Sequence, residues 1–175
     1  MAAWDRAYVQ VYTGDGKGKT TAALGLALRA AGAGRKVFIA QFAKGMAYSE
    51  LVSLARFADL ITVRQYGLRC FIRDAPKPED IAAAREGLRE AREAVASGQF
   101  DVVILDEANI ATHFGLFPAE ELLEVVALAA GRVEIVITGR RADPRVIERA
   151  DLVTEMREVK HYYAKGVMAR RGIES

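Results

Sequence analysis

The chain has 175 residues, of which 51% are hydrophobic, and its 25 basic and 23 acidic side chains give a formal charge of +2. This length and composition suit a single globular domain over residues 1–175 and exclude a disordered chain. The near balance of charge argues against nucleic acid as a partner, because nucleic-acid-binding proteins usually carry a clustered basic excess.

Features that would place the chain in a membrane or outside the cell are missing from the sequence. The single cysteine, Cys70, has no partner for an internal disulfide. The first residues lack the apolar stretch of a signal peptide, and the most apolar helix candidate, 22–34, is short and carries Arg29. We therefore expect a cytoplasmic protein with no membrane partner.

The hydrophobic pattern predicts strands and helices in alternation. The predicted strands are 7–12, 36–42, 61–66, 101–105, 133–138 and 152–156, and the predicted helices are 20–33, 49–57, 78–96, 118–130 and 144–150. The alternation predicts an α/β fold, with a parallel sheet of about six strands and helices on both faces. Ligands of such sheets bind at the carboxyl ends of the strands.

A glycine-rich segment, YTGDGKGKTT at 12–21, follows the first strand and precedes the first helix. This order of strand, turn and helix makes a nest of backbone N–H groups that binds polyphosphate, and glycines permit its close approach. Lys19 can reach the outer phosphates, and the Thr20 hydroxyl can bind Mg²⁺. Thr13 stands where the GxxxxGK[ST] pattern has glycine. The residues predicted to bind the triphosphate are Thr13, Gly14, Asp15, Gly16, Lys17, Gly18, Lys19, Thr20 and Thr21.

Charged side chains follow several predicted strands. Asp106 and Glu107 come after the fourth strand, where a carboxylate is the expected second half of an ATP–Mg²⁺ site, so we predict Thr20, Asp106 and Glu107 as metal ligands. Arg140 follows the fifth strand, and both a phosphate contact and a plain surface position remain open for it. Lys44, after the second strand, is a weaker candidate for the same contact.

The two histidines have different surroundings in the sequence. His113 is interpreted as a packing or hydrogen-bonding residue. His161 lies in a closing segment rich in Lys, Arg, Tyr and Gly, which follows the last strand and could fold over a ligand.

Four segments together resemble the P-loop ATP:corrinoid adenosyltransferases. They are YTGDGKGKTTAALGLALRAAG, VFIAQFAKG, VVILDEAN and VITGRRADPRVIERADLVTEMREVKHYYAKGVMARRGIE, and they run from near Val9 to Glu174. The loop form TGxGKGKTT, with threonine in place of the first glycine, is more specific to this family than the general pattern. The resemblance implies a P-loop NTPase-like (RecA-like) fold.

The resemblance also implies an unusual use of ATP. In this family the Co(I) of a reduced corrinoid attacks C5′ of the ribose, and the products are an adenosylcorrinoid and inorganic triphosphate. By this resemblance, ATP and the corrinoid are the substrates, and Mg²⁺ assists the transfer. The resemblance further implies an electron donor that reduces the cobalt, and a homodimer. Lys19, Thr20 and Glu107 would be catalytic, with Asp106 supporting Glu107. The implied binding residues beyond the loop are Arg29, Arg140, Phe71 and His161.

The chain departs from the family pattern at 67–78, which reads GLRCFIRDAPKP. Many members carry a Phe-x-Trp pair there, which faces the corrin and helps to displace its lower axial ligand. Phe71 is the only aromatic residue in this stretch, with Cys70 or Ile72 at the matching positions. We hypothesise that apolar side chains here still exclude water and an axial ligand.

Two other functions also use a phosphate loop. A small P-loop kinase or ATPase would act on the γ-phosphate, and it accounts for the loop and Asp106–Glu107 but not for the closing segment. A nucleotide-switched binding module would need a mobile segment that senses the γ-phosphate, for which 162–172 is the candidate.

Overall fold

A computed structural model of the chain describes residues 5–68 and 75–174. Within these ranges, six β-strands and six α-helices follow one another. The strands are β1 (Val9–Thr13), β2 (Val37–Phe42), β3 (Ile61–Tyr66), β4 (Val102–Asp106), β5 (Glu134–Thr138) and β6 (Leu152–Glu155). The helices are α1 (Lys19–Gly32), α2 (Ser49–Leu54), α3 (Pro78–Ala96), α4 (Ala108–His113), α5 (Ala119–Ala129) and α6 (Pro144–Arg149).

The six strands form one sheet in the order β3-β2-β4-β5-β1-β6. Every pairing is parallel, so all carboxyl ends lie along the same edge. Every residue of β2 and β4 is buried, as expected for strands covered on both faces. The predicted α/β fold with a parallel sheet of about six strands is confirmed.

Helices cover both faces of the sheet. The Ala-rich side of α1 and Leu54 of α2 pack on one face, over residues such as Ile39 and Ile104. Helices α3, α4, α5 and α6 pack on the other face, where Phe42, Leu105 and Ile137 lie. None of the helices in the described part of the chain is long and apolar enough to cross a membrane.

Helix α3 approaches the sheet closely because of a glycine. A Cβ on Gly87 would lie only 2.5 Å from the Tyr66 ring and 2.9 Å from that of Phe42. The Tyr66 hydroxyl donates to Glu90 of the same helix at 2.7 Å. This contact fixes α3 against the carboxyl end of β3.

Apart from shifts of one residue at element ends, the predicted strands and helices differ from the observed ones in three places. Strand β1 begins at Val9, two residues later than predicted, because Ala7 already pairs outside the strand, with its N–H on the Gly131 carbonyl. The segment predicted as helix 49–57 is α2 followed by a 3₁₀ turn at Ala55–Phe57. Helix α4 was not predicted, since its six residues are too short for a clear helical period.

Candidate functional site

The glycine-rich loop connects β1 to α1 at the carboxyl edge of the sheet. Gly14 and Gly18 have φ angles of 91° and 117°, a region that favours glycine. Gly18 is the residue that precedes α1, so the N–H groups of the first helical turn face the loop. The glycine-rich turn thus joins β1 to α1 at the carboxyl edge of the sheet, and its binding of phosphate stays a prediction.

Lys19 lies inside this loop. It is 7% exposed, and its Nζ donates to the carbonyls of Gly14 and Gly16 at 2.7 Å each. Burial lowers the pKa of Lys19, the nearby Glu107 carboxylate opposes that shift, and the Arg140 guanidinium adds to it. The charges of Lys19, Glu107 and Arg140 therefore act on one another. This agrees with the expectation that the carboxyl ends of the strands lie along one edge of the sheet.

The chain that follows β6 crosses directly over the loop. The Gly16 N–H donates to the Met156 carbonyl at 2.6 Å, and the Met156 N–H donates to the Thr13 carbonyl at 2.8 Å. A Cβ on Gly14 or Gly16 would lie 2.5 or 2.7 Å from the same Met156 oxygen. The glycines therefore meet a close backbone neighbour in the protein itself, a reason for them that the sequence did not reveal.

Gly16→Ala should reduce stability for this reason. The added methyl group needs the backbone at Met156–Arg157 to move, because its contacts there are 2.7 and 2.8 Å. We expect the free energy of unfolding, measured with urea, to fall by about 1–3 kcal/mol, the range for overpacking.

The matched control is Gly25→Ala in α1. A Cβ there meets nothing within 4 Å, so this variant should gain about 0.5–1 kcal/mol. Equal changes in the two variants would contradict the packing of Met156 on the loop.

The rest of the closing segment also contacts the loop. Lys17 Nζ donates to the Ile173 carbonyl at 2.9 Å. Glu174 in turn accepts from the Tyr162 hydroxyl and from the Arg170 N–H, the latter at 2.8 Å, and the Arg170 guanidinium lies 5.1 Å from the Tyr162 ring centroid. The segment 156–174 therefore forms a folded strap across the phosphate loop.

A buried carboxylate, Asp106, lies at the centre of the site. It is 0% exposed and is the last residue of β4. Its Oδ1 accepts from the Thr20 and Thr138 hydroxyls at 2.9 and 2.7 Å, and its Oδ2 accepts from Gln41 Nε2 and Lys44 Nζ at 3.3 and 2.7 Å. Four elements of the carboxyl edge thus meet on one side chain.

Lys44 and Asp106 form a buried ion pair, with side chains 14% and 0% exposed. Burial alone would lower the pKa of Lys44, but the charge and hydrogen bond of Asp106 raise it above its ordinary value. The ammonium therefore stays charged inside the site.

The strand ends carry unusual backbone conformations. Ala43, Glu107 and Arg141 have φ angles of 52°, 61° and 55°, and they follow β2, β4 and β5 respectively. Side-chain-bearing residues rarely adopt this left-handed region, and such strain is concentrated at functional sites. Here these conformations mark the turns that follow β2, β4 and β5 at the carboxyl edge of the sheet.

Glu107 is held by its neighbours on β5. Its N–H donates to Thr138 Oγ1 at 3.0 Å, and its Oε2 lies 3.2 Å from where a Cβ on Gly139 would be. Burial, together with the charge of Asp106, raises the pKa of Glu107. The folded chain therefore binds a proton on Glu107 more readily than the unfolded chain does.

Glu107→Gln should for that reason stabilise the protein at neutral pH while lowering activity. A carboxyl group whose pKa is raised on folding destabilises the folded state once the pH exceeds that pKa. The gain, measured by urea unfolding, should be largest at pH 7 and should vanish as the pH falls toward about 4, where the wild-type side chain is protonated.

Glu148→Gln, on the exposed face of α6, is the control for this pH series. A gain in the Glu107 variant that persists unchanged at low pH would show that the carboxylate charge is not its cause.

The predicted binding residues outside the loop include one that lies away from this centre, Arg29. Arg29 is exposed in the last turn of α1, ten positions after Lys19, or about 15 Å along the helix. His161 lies in the strap, where its Nδ1 accepts from the Tyr163 N–H at 3.0 Å. Phe71, with Cys70 and Ile72, falls outside the described residues. The roles assigned to these residues stay predictions.

Sequence reasoning missed three partners of Asp106. Gln41 and Thr138 were not singled out, and Lys44 was considered only as a phosphate contact. A glutamine inside the otherwise apolar strand VFIAQF was a usable signal, because a fully buried polar side chain needs a partner. Gln41 Oε1 accepts from Gln65 Nε2 at 3.2 Å, which extends the network to β3.

Comparison with known proteins identifies the family. The model of the family described as ATP:corrinoid adenosyltransferase BtuR/CobO/CobP matches residues 5–175. Among curated relatives, the corrinoid adenosyltransferase from Escherichia coli K12 is 37% identical to this chain, over 97% of this chain and 86% of its own length. The corrinoid adenosyltransferase from Pseudomonas aeruginosa is 35% identical, over 97% of this chain and 84% of its own length. The Salmonella typhimurium corrinoid adenosyltransferase CobA is 33% identical over 97% of this chain and 86% of its own. The chain belongs to the ATP:corrinoid adenosyltransferase family.

Proposed function

We propose that this protein transfers the 5′-deoxyadenosyl group of ATP to the Co(I) of a reduced corrinoid, giving an adenosylcorrinoid and inorganic triphosphate. Membership of the family and the names of its curated relatives support this reaction. The observation that carries it in the structure is the strap 156–174, part of one of the four segments that resemble the family, which packs on the phosphate loop.

In this reaction the cobalt supplies the nucleophile. A Co–C5′ bond forms, the C5′–O bond of ATP breaks, and its electron pair leaves with the triphosphate. The protein has to stabilise the charge that develops on that leaving group. The groups that would do so are the backbone N–H groups at the start of α1, the Lys19 ammonium and the Arg140 guanidinium, whose charge acts on Lys19.

The donor set of the site suits a magnesium ion. Thr20 Oγ1 and the carboxylate of Asp106 are hard oxygen ligands, joined by a hydrogen bond of 2.9 Å, and Glu107 follows Asp106 directly. When bound, Mg²⁺ would neutralise charge on the triphosphate oxygens. Thr20 and Asp106 would hold it, and Glu107 would face the same region.

Other parts of the proposal rest on the resemblance to the family. They are a reductant for the cobalt, a homodimer, a cytoplasmic location and a corrin contact at Phe71. For the homodimer, the edge strand β6 is a candidate contact, because its Leu152 and Val153 are 45% and 42% exposed.

A kinase or ATPase acting on the γ-phosphate is not favoured. It would account for Lys19, Thr20 and Asp106, but the three relatives described above, each matching 97% of this chain, are named corrinoid adenosyltransferases. A nucleotide-switched module is likewise less well supported, although the strap would be its natural moving part.

One assay separates these functions. The protein is incubated with ATP, MgCl₂ and chemically reduced cobalamin, and both the phosphate products and the visible spectrum are followed. Inorganic triphosphate together with a Co–C spectrum is the expected result. ADP and phosphate released without regard to the corrinoid would indicate a kinase or ATPase, and binding without turnover would indicate a switch module.

A further inference from the structure

The Lys44 ammonium lies between the two groups that would hold a metal ion. Its Nζ is 2.7 Å from Asp106 Oδ2 and 3.1 Å from Thr20 Oγ1. Those oxygens belong to the two predicted metal ligands that contact each other directly. A single positive charge from the protein therefore occupies the region between a hydroxyl and a carboxylate that suit a divalent cation.

Asp106 has no acceptor capacity to spare in this arrangement. A carboxylate has about four lone-pair positions, and four side-chain donors approach Asp106, two on each oxygen. A metal ion that binds this carboxylate must therefore displace one of the four donors.

Three of the four donors to Asp106 have a second interaction or a predicted role that keeps them in place. Thr138 also accepts from the Glu107 N–H at 3.0 Å. Gln41 is held from its other end by Gln65 at 3.2 Å. Thr20 is itself a predicted metal ligand and donates to Oδ1 rather than Oδ2. Lys44 is the donor whose departure costs the network least, because beyond its bond to Asp106 only its hydrogen bond to Thr20 Oγ1 is lost and the other three donors keep their places.

The backbone of Lys44 is anchored, so that only its side chain is free to move. The Ala43 N–H donates to the Tyr66 carbonyl at 3.2 Å. A Cβ on Gly45 would lie 2.2 Å from the Gly67 carbonyl oxygen, and one on Gly67 would lie 2.5 Å from the Lys44 nitrogen. The turn after β2 is thus pressed against the end of β3, with a long flexible side chain projecting from a fixed base.

From this geometry we propose that the Lys44 ammonium occupies the metal-binding position beside Asp106 and Thr20 in the free protein. It is displaced when a metal ion binds together with its nucleotide. The proposal rests on the proposed function for the identity of that nucleotide. Lys44 neutralises Asp106 in the free protein and excludes divalent cations from Asp106 and Thr20. On leaving, its ammonium remains beside the phosphate loop and can pair with the triphosphate.

This arrangement couples metal binding to nucleotide binding. A divalent cation alone would separate the Lys44 ammonium from Asp106, its ion-pair partner at 2.7 Å, and offer it no equally close anion, since Glu107 and Glu50 act on it only through longer-range charge. A triphosphate supplies that anion, so Lys44 can move without leaving an unpaired buried charge. The free protein should therefore bind divalent cations weakly, and removal of the Lys44 charge should change that.

The test measures Mn²⁺ binding by electron paramagnetic resonance, with MnCl₂ alone and no nucleotide. Lys44→Met keeps most of the side-chain length and removes the charge, and it should bind Mn²⁺ at least about tenfold more tightly than wild type. MnCl₂ should also raise the thermal midpoint of this variant, but not that of wild type. Lys36→Met removes an exposed lysine at the opposite edge of the sheet and should behave as wild type.

If Lys44→Met does not fold, the same Mn²⁺ measurements are made on Lys44→Gln, which also lacks the charge but whose amide can still donate to Asp106. Equal Mn²⁺ affinity in a folded Lys44 variant and in wild type would overturn the proposal. The adenosylation assay is scored separately on wild type. If the variant binds Mn²⁺ more tightly but the wild-type protein does not form adenosylcorrinoid, the proposed function is wrong and the role proposed for Lys44 is still supported.

Discussion

Lys19→Ala is expected to reduce the rate of adenosylcorrinoid formation by about 100- to 1,000-fold, the loss typical when one preorganised donor to a developing anion is removed. Lys19 is 7% exposed and donates to two carbonyls of the loop, Gly14 and Gly16, at 2.7 Å each. Its charge is therefore fixed inside the loop where the triphosphate leaves. The measurement is kcat, from both the Co–C spectrum and inorganic triphosphate.

The expected loss is in turnover more than in binding. Backbone N–H groups of the loop remain in the variant and still donate hydrogen bonds to the triphosphate of ATP. Charge on the leaving group grows as the C5′–O bond breaks, so the contribution of Lys19 is largest in the transition state. The Kd for ATP, measured by calorimetry, should therefore rise much less than kcat falls.

Lys36→Ala is the matched control for this substitution. Lys36 is exposed just before β2, at the edge of the sheet opposite the loop. It should leave kcat unchanged, and the far-UV circular dichroism of both variants should match wild type. A folded Lys19→Ala protein that turns over at more than a tenth of the wild-type rate would contradict the role assigned to Lys19.

The frame of the site could be predicted from sequence because it depends on local patterns. The glycine-rich turn and the apolar run before Asp106 each lie within a short stretch of consecutive residues, and the alternation of elements is read from one such stretch after another. Together they predicted a parallel sheet with the loop and Asp106 at its carboxyl edge, and the observed strand order places them there.

The partners of Asp106 could not be predicted in the same way, because they depend on strand order. Thr20, Gln41, Lys44 and Thr138 lie 86, 65, 62 and 32 positions from it in the chain. They meet only because β4 lies between β2 and β5. Alternation of strands and helices is compatible with many orders, so no local signal joins these residues.

The contact between strap and loop was also beyond local patterns. The sequence predicted that a closing segment rich in basic and aromatic residues could cover a ligand. It did not indicate that the Met156 backbone would lie against Gly14 and Gly16. That contact depends on the pairing of β6 beside β1, where Thr13 lies opposite Glu155. A four-residue edge strand with every residue exposed carries little hydrophobic signal of its own.

Asp106→Asn is expected to abolish most activity and to lower the free energy of unfolding by about 3 kcal/mol, the lower end for breaking a buried ion pair. The asparagine keeps the shape of the side chain but loses the charge that faces Lys44. Its amide nitrogen must also face donors, because both oxygens of the aspartate accept two hydrogen bonds each. Urea unfolding at pH 7 measures the stability, and the adenosylation assay measures the activity.

Asp101→Asn is a close control, because Asp101 precedes β4 while Asp106 ends it. Asp101 also pairs with a basic side chain, Arg35, at 3.1 Å, but it is 35% exposed. The Arg35 side chain is 14% exposed, so this pair is partly buried but, unlike the Asp106 pair, has a carboxylate that solvent reaches, and the variant should lose less stability than Asp106→Asn and stay fully active. Equal losses in the two variants would mean that Asp106 acts as an ordinary ion pair. A large loss at Asp106 alone would indicate that the Asp106 carboxylate both neutralises Lys44 in the folded protein and is needed for activity.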